Sequence, residues 1–177
     1  MKLESSWYKV TATDFGDAEM GESYGNSDNM INRRLVVNAS DIKDVKSKPG
    51  YKVTFNVDSV SGDNAKASIL SLMMPRDHIS RLMRHKIAKI DVTVKTSLSG
   101  KKYAIKVIAI VNKAENKYKT AIRKEIDAFI KKETENKELK EVMLDAMGNK
   151  LQNPLHKALN KIYPTKAVEI RMIEPSK

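Results

Sequence analysis

The 177-residue chain has no cysteine and a net charge of +11, from 33 Lys+Arg against 22 Asp+Glu. Without thiols, disulfide frameworks, zinc ribbons and thiol chemistry are excluded, and a chain of this length buries an adequate core without them. No apolar run exceeds the five residues Val107 to Val111, and Met1 to Lys9 lacks the apolar centre of a signal peptide, so the sequence predicts a soluble, unexported single domain spanning 1–177.

In chain order, Ser6 to Thr13 reads as a short strand in which Trp7 most simply plugs one end of the core, with stacking against a base as the minority reading. Asp14 to Met30 is rich in Gly, Asp, Glu, Ser and Asn without periodicity and reads as a loop. Arg33 to Asn38 is a strand with Leu35, Val36 and Val37 at its centre. After a turn at Lys46 to Gly50, the alternation of Tyr51, Val53, Phe55 and Val57 with Lys52, Thr54, Asn56 and Asp58 marks a half-buried strand. Ser61 to Asn64 then turns the chain into a partner strand through Ala65, Ala67, Ile69 and Leu70.

The central stretch, Pro75 to Val111, predicts a basic helix followed by a hairpin. Pro75 suits a first turn, and Asp77 lies where a carboxylate favours the positive end of the helix dipole. Ile79, Leu82, Met83, Ile87 and Ile90 form one stripe, with Arg81, Arg84, His85 and Lys89 on the opposite arc and Lys86 as a misfit on the apolar side. Ile90, Val92 and Val94, then Tyr103, Ile105 and Val107, predict two strands joined at Ser97-Leu98-Ser99-Gly100. The wholly apolar Val107 to Val111 suits a strand buried on both faces.

Three helices follow, on Ile122, Ile126, Phe129 and Ile130; on Leu139, Val142, Met143 and Ala146, stopped by Gly148; and on Leu155, Ala158, Leu159 and Ile162, started by Asn153-Pro154 and ended by Pro164. Val168, Ile170 and Met172 make a closing strand that returns to an earlier one. The prediction is an α+β fold, a mixed or antiparallel barrel-like sheet flanked by helices: strand-rich over 1–111, helix-rich over 112–164, with a closing strand over 167–173.

Catalytic constellations are absent. His78, His85 and His156 have neither metal-ligand spacing nor a H-E-x-x-H frame, no serine sits in a G-x-S-x-G elbow, and the seven glycines form no phosphate loop. The chain therefore reads as a non-enzyme without cofactor or metal. Its charge is unevenly placed: residues 1–50 sum to −1, 51–113 to +8 and 114–177 to +4. Basicity alone leaves membrane surfaces and acidic proteins open, but this concentration favours a polyphosphate partner. The predicted RNA footprint comprises Arg76, Arg81, Arg84, His85 and Lys89 on the helix, Lys95, Lys101, Lys102, Lys106 and Lys113 on or beside the hairpin, and Arg123 and Lys124 behind them. A solvated charged face is the competing reading of each.

Several segments, in order, resemble a known family. They are Trp7-Tyr8, Pro75-Arg76-Asp77 through Ile79, Leu82 and Arg84, Ile90-Asp91 and the turn before Tyr103, Ala121-Ile122-Arg123-Lys124, Ile162-Tyr163-Pro164, and Val168-Glu169-Ile170-Arg171. Together they resemble the archaeal and eukaryotic small-subunit ribosomal protein family S3Ae, of which the chain looks like a divergent or reduced member. The resemblance implies a β-barrel flanked by helices and a cytoplasmic, ribosome-associated structural protein. It implies small-subunit rRNA, neighbouring ribosomal proteins and messenger RNA near its exit as partners, on the platform of the subunit, and no membrane. A free-standing RNA-binding or RNA-chaperone protein would share the same surface. The chain departs from the family pattern in having only Lys2 where a basic tail precedes Trp-Tyr, Met74-Pro75 where Leu-Thr is usual before Arg-Asp, Asn32 in place of a glycine, and Val36 in place of a glutamate.

Overall fold

The computed structural model describes residues 5–42, 50–83 and 87–176. Its contacts divide the chain into two compact units, 1–71 and 72–177. The fold is α+β, with eight strands in mixed pairing and five α-helices among the described residues. In neither unit does the pairing close into a ring among the described residues, so the sheet is barrel-like only in a loose sense.

In the first unit β1 (Ser6–Ala12) pairs antiparallel with β2 (Ala18–Gly25) and parallel with β5 (Asn64–Met73). β5 pairs with β4 (Lys52–Ser61), and β4 with β3 (Arg34–Asn38), which gives the order β3-β4-β5-β1-β2. A single turn of helix, α1 (Ser27–Met30), leads from β2 to β3. Alternation sends Tyr8, Val10 and Ala12 inward, where they join Val53, Phe55, Val57, Ala65, Ala67 and Ile69. The Asp14 carboxylate accepts the Ile69 amide at 2.6 Å, and the Thr13 hydroxyl donates to the Ala67 carbonyl at 3.2 Å, which ties the end of β1 to β5.

Two expectations fail in this unit. Trp7 does not plug the core; it points outward and is 62% exposed, because Tyr8 holds the inward register. The stretch Asp14 to Met30 is not all loop, since it contains β2 and α1. β2 has no apolar alternation because Ser23 is its one buried residue, so pairing with β1, rather than its own composition, makes it a strand. Most of the predicted turn at 46–50 lies outside the described residues.

In the second unit the last two residues of β5, Leu72 and Met73, pair with Ile173 and Met172 of β8 (Thr165–Pro175). β8 pairs with β7 (Lys101–Asn112), and β7 with β6 (Ile87–Leu98) over twelve matched residue pairs. Ser99 and Gly100, at φ +49° and +75°, form the turn, the left-handed pair that matches the twist of a two-residue hairpin. Val107 to Val111 are all buried, as their composition predicts.

The helix starting at Pro75 is much shorter than predicted. α2 spans Arg76–Leu82, with Pro75 just outside it, and Ile87 and Ile90 belong to β6. Two apolar periods overlap here. From Ile90 to Val94 the residues Ile90, Val92 and Val94 also fit a spacing of two, and pairing along all of β7 settles the choice, Ile87 included.

The remaining helices are α3 (Asn116–Thr134), α4 (Leu139–Met147) and α5 (Gln152–Asn160). α3 buries Ile122, Ile126, Ile130 and Thr134, and the Thr134 and Thr96 hydroxyls meet at 3.1 Å, so α3 covers the β6 face that also carries Ile90 and Val94. Gly148 follows α4 as expected, yet the left-handed residue is Asn149, at φ +59°. α5 begins at Gln152 rather than after Asn153. The buried Gln152 amide donates to the Ala146 carbonyl at 2.7 Å, and His156 Nε2 lies 2.8 Å from the Thr165 carbonyl, which docks α5 on β8.

Candidate nucleic-acid interface

Cross-strand partners lie on the same side of a sheet, so register decides which cations stand together. On β6 the exposed residues are Lys89, Asp91, Thr93, Lys95 and Ser97, the side opposite α3. Their β7 partners are Ile110, Ile108, Lys106, Ala104 and Lys102. Lys89, Lys95, Lys102 and Lys106 therefore share one outer face. Lys101 opposes Leu98 and belongs to the other face.

At one end of the outer face a groove of about 190 Å³ is lined by Arg76, Ile79 and Ser80 of α2, Lys89 of β6 and Arg171 of β8. It brings together cations of the consecutive elements α2 and β6 and a third, Arg171, from far along the sequence. Arg171 stands where the β7–β8 register shifts, between the pairs Lys106↔Met172 and Val107↔Ile170. Its carbonyl accepts the Met74 amide at 2.8 Å, which fixes the backbone entering α2. At the other end a groove of about 350 Å³ is lined by Lys95, Thr96, Ser97, Lys102 and Ser176. Thr96 and Ser97 also border a hollow of about 420 Å³ with Lys131 and Lys132 of α3 and Glu135 just past its end. Lys89 and Lys95 are six residues apart on one strand, about 20 Å at the rise of an extended chain.

The predicted cations are thus partly assembled and partly dispersed. Arg76, Lys89, Lys95 and Lys102 line the two grooves, and Arg81 is exposed on the last turn of α2. Lys89 sits on a strand, not on the helix face assigned to it, because the helix ends seven residues earlier. Lys113 follows β7, and its carbonyl accepts the Tyr163 hydroxyl at 2.9 Å. Arg123 and Lys124 are exposed on α3, on the side away from the sheet, and so do not share the outer face of β6 and β7. Arg84, His85 and the misfit Lys86 lie outside the described residues.

Two of the cations also meet the chain's own carboxylates. The Lys89 ammonium is 2.8 Å from Asp91, and that of Lys106 is 2.6 Å from Glu174 and 3.8 Å from the Met172 sulfur. Among the described residues no carboxylate lies within ion-pair distance of Arg76, Arg81, Lys95, Lys101, Lys102, Lys113, Arg123 or Lys124. Lys137 behaves differently. Its ammonium is 2.8 Å from Asp145, and that hydrogen bond raises its pKa above the usual lysine value against the opposing effect of burial.

The family model for the Ribosomal S3Ae family matches residues 3–177. The chain belongs to that family. Among its S3Ae relatives, a protein of Methanothrix thermoacetophila named small ribosomal subunit protein eS1 is 29% identical over 173 residues, covering 95% of this chain and 82% of its own. The protein of the same name from Methanobrevibacter smithii is 28% identical over 172 residues, covering 94% and 89%, and that from Sulfolobus acidocaldarius is 29% identical over 169, covering 93% and 86%. Among the described residues of this S3Ae chain no helix is long and apolar enough to cross a membrane, and no three His, Cys, Asp or Glu side chains stand together as a metal would require.

Sequence reasoning missed Arg171, Lys131 and Lys132. Arg171 sits within an alternating strand pattern, where nothing local reveals that a register shift places it beside α2. Lys131 and Lys132, at the end of α3, had a signal: cations in a last helical turn complement the dipole, and the helix carries them to the hairpin.

Proposed function

We propose that the chain is a structural constituent of the small ribosomal subunit that holds small-subunit rRNA through the outer face of β6 and β7, on the platform near the messenger exit. The observation that carries this reading is the pair of cationic grooves on one sheet face of a ribosomal-family chain. The contacts are made by Arg76, Lys89 and Arg171 at one end and by Lys95 and Lys102 at the other, with Arg81, Lys106 and Lys113 adding to them; Arg84 and His85 belong to the same proposed set but lie outside the described residues, and Lys101 would reach RNA from the other face of the hairpin. Arg123 and Lys124 meet a separate segment of RNA on the helical side. Each cation that reaches a phosphate releases counterions, so binding is strong at low salt and reads backbone position, not base identity. A rigid β-ladder fixes the spacing between the two grooves, which selects RNA by shape. Neighbouring small-subunit proteins complete the assembly.

The test is co-sedimentation. The chain should remain on purified small subunits after a high-salt wash, and a Lys95→Glu/Lys102→Glu variant should be released at much lower salt. Release of the native chain by a mild wash would leave a free-standing RNA-binding protein as the better reading.

A further inference from the structure

Resting on the ribosomal reading above, we infer that the outer face of the β1–β2 hairpin docks a neighbouring protein of the subunit, with Trp7 and Tyr24 as its anchor. The two residues are cross-strand partners, and their ring centroids are 5.3 Å apart. They are 62% and 53% exposed, although rings of this size gain most from burial. Register places Trp7, Lys9 and Thr11 of β1 on one face with Tyr24, Glu22 and Glu19 of β2. On the other side of β1, Asn64 and Lys66 of β5 stand beside Lys9 and Thr11. The ionic groups of this face are two lysines and two glutamates, so it has no net attraction for polyphosphate. An aromatic centre with a balanced, mixed-charge rim is the make-up of a protein–protein contact.

Geometry separates the two classes of partner further. The rings are packed against each other at a tilt of 53°, so they present ring edges as well as faces rather than one flat platform for a base. An aliphatic side chain packs on such an uneven apolar surface. Beside the pair, Arg33 Nη1 donates to the Tyr24 carbonyl at 2.8 Å. Gly25 permits that approach, since a Cβ there would come within 3.3 Å of Arg33 Nη1. The bond braces Tyr24 before any partner arrives, which lowers the ordering cost of docking. Among the described residues β2 pairs on one side only, so Tyr24 is approached from the free edge of the sheet. The occupant is therefore an aliphatic side chain of a neighbouring ribosomal protein, flanked by charges complementary to Lys9 and Glu22.

The experiment places benzoylphenylalanine at position 7, or in a second variant at position 24, and irradiates salt-washed small subunits carrying the full chain. A third variant carries it at position 95 as a marker of the RNA face. The expected adduct at positions 7 and 24 resists ribonuclease and contains a peptide of one neighbouring subunit protein, whereas that at position 95 is a nucleotide. A nucleotide adduct at position 7, or no adduct at positions 7 and 24, overturns the inference. In parallel, Trp7→Ala should reduce retention on washed subunits by about tenfold while the purified chain binds naked rRNA as before. A matching loss on naked rRNA also overturns it. If the unsubstituted chain fails to co-sediment, the ribosomal reading itself falls, a result separate from any adduct at position 7.

Discussion

The two units of this chain have similar strands and opposite surfaces. Residues 1–71 carry 9 Lys+Arg against 10 Asp+Glu, and residues 72–177 carry 24 against 12, so the first unit sums to −1 and the second to +12. The four most exposed large apolar side chains among the described residues, Trp7, Val36, Tyr24 and Ile31, all lie in the first unit. Exposed apolar area and surplus cation are thus segregated along the chain. Phosphate contacts need charge and little apolar area, whereas protein contacts need apolar area and a balanced rim. A net charge quoted for the whole chain hides that division.

The largest effect should come from reversing charge in the second unit. Arg76, Lys95 and Lys102 together changed to Glu should weaken binding to a small-subunit rRNA fragment by ~10² or more. They should also flatten the salt dependence by about three contacts' worth. The same three reversals at Lys9, Lys52 and Lys66, exposed in the first unit, should cost less than about threefold at physiological salt, where distant charges are screened. Filter binding across a salt series measures both. Equal losses would erase the distinction between the units.

Much of this architecture was legible because strong periods are local. The alternations at Tyr51 to Val57 and Tyr103 to Val107, the 3.6-residue stripe of Ile122, Ile126 and Ile130, and the Ser99-Gly100 turn each state their own element. Where the sequence misled, the deciding interaction came from elsewhere in the chain. β2 is a strand because β1 pairs with it. Ile87 is a strand residue because Asn112 opposes it, though a helical stripe accommodates it equally well. Trp7 was placed inward on size, and the register set by Tyr8 and Val10 places it outward. The footprint shows the same limit. Composition located the basic region, but only register sorts Lys95 and Lys102 onto one face and α3 carries Arg123 and Lys124 to another.

Core deletions sharpen the comparison from inside. Phe55 and Ile126 are almost wholly buried, one in each unit. Phe55→Ala should cost ~3–5 kcal/mol and Ile126→Ala ~2–5 kcal/mol. The chain has a single tryptophan, Trp7 in the first unit, while the long helices α3, α4 and α5 lie in the second. Tryptophan fluorescence therefore follows one unit and helical ellipticity the other during thermal unfolding. Phe55→Ala should lower the midpoint seen by fluorescence more than that seen by ellipticity, and Ile126→Ala the reverse. Identical shifts by both probes for both variants would mean that the units melt as one, and the contrast between them would then concern surfaces alone.

The smallest effect concerns a lysine of the basic unit that does not belong to the proposed RNA face. Lys137 lies between α3 and α4, with its ammonium 2.8 Å from Asp145 and 3.8 Å from Glu133. Its pKa is raised above 10.5, first by the hydrogen bond to Asp145, with burial opposing and the charges of Asp145, Glu133 and Glu141 adding to it. A folded-state pKa above the unfolded one stabilises the protein fully below pH 10.5, and that contribution fades as pH rises through the folded value. With the lysine side chain 32% exposed, screening reduces the contribution to a few tenths of a kcal/mol, of order 0.5. Lys137→Met should therefore lower the melting temperature slightly at neutral pH, and the gap from the native chain should close as the pH passes well above 10.5. Its affinity for rRNA should stay within about twofold, because a cation held between two carboxylates releases few counterions on binding. A variant that melts like the native chain but loses affinity and salt dependence would move Lys137 into the RNA-binding set, and a position between two carboxylates would then no longer mark a cation of this unit as structural.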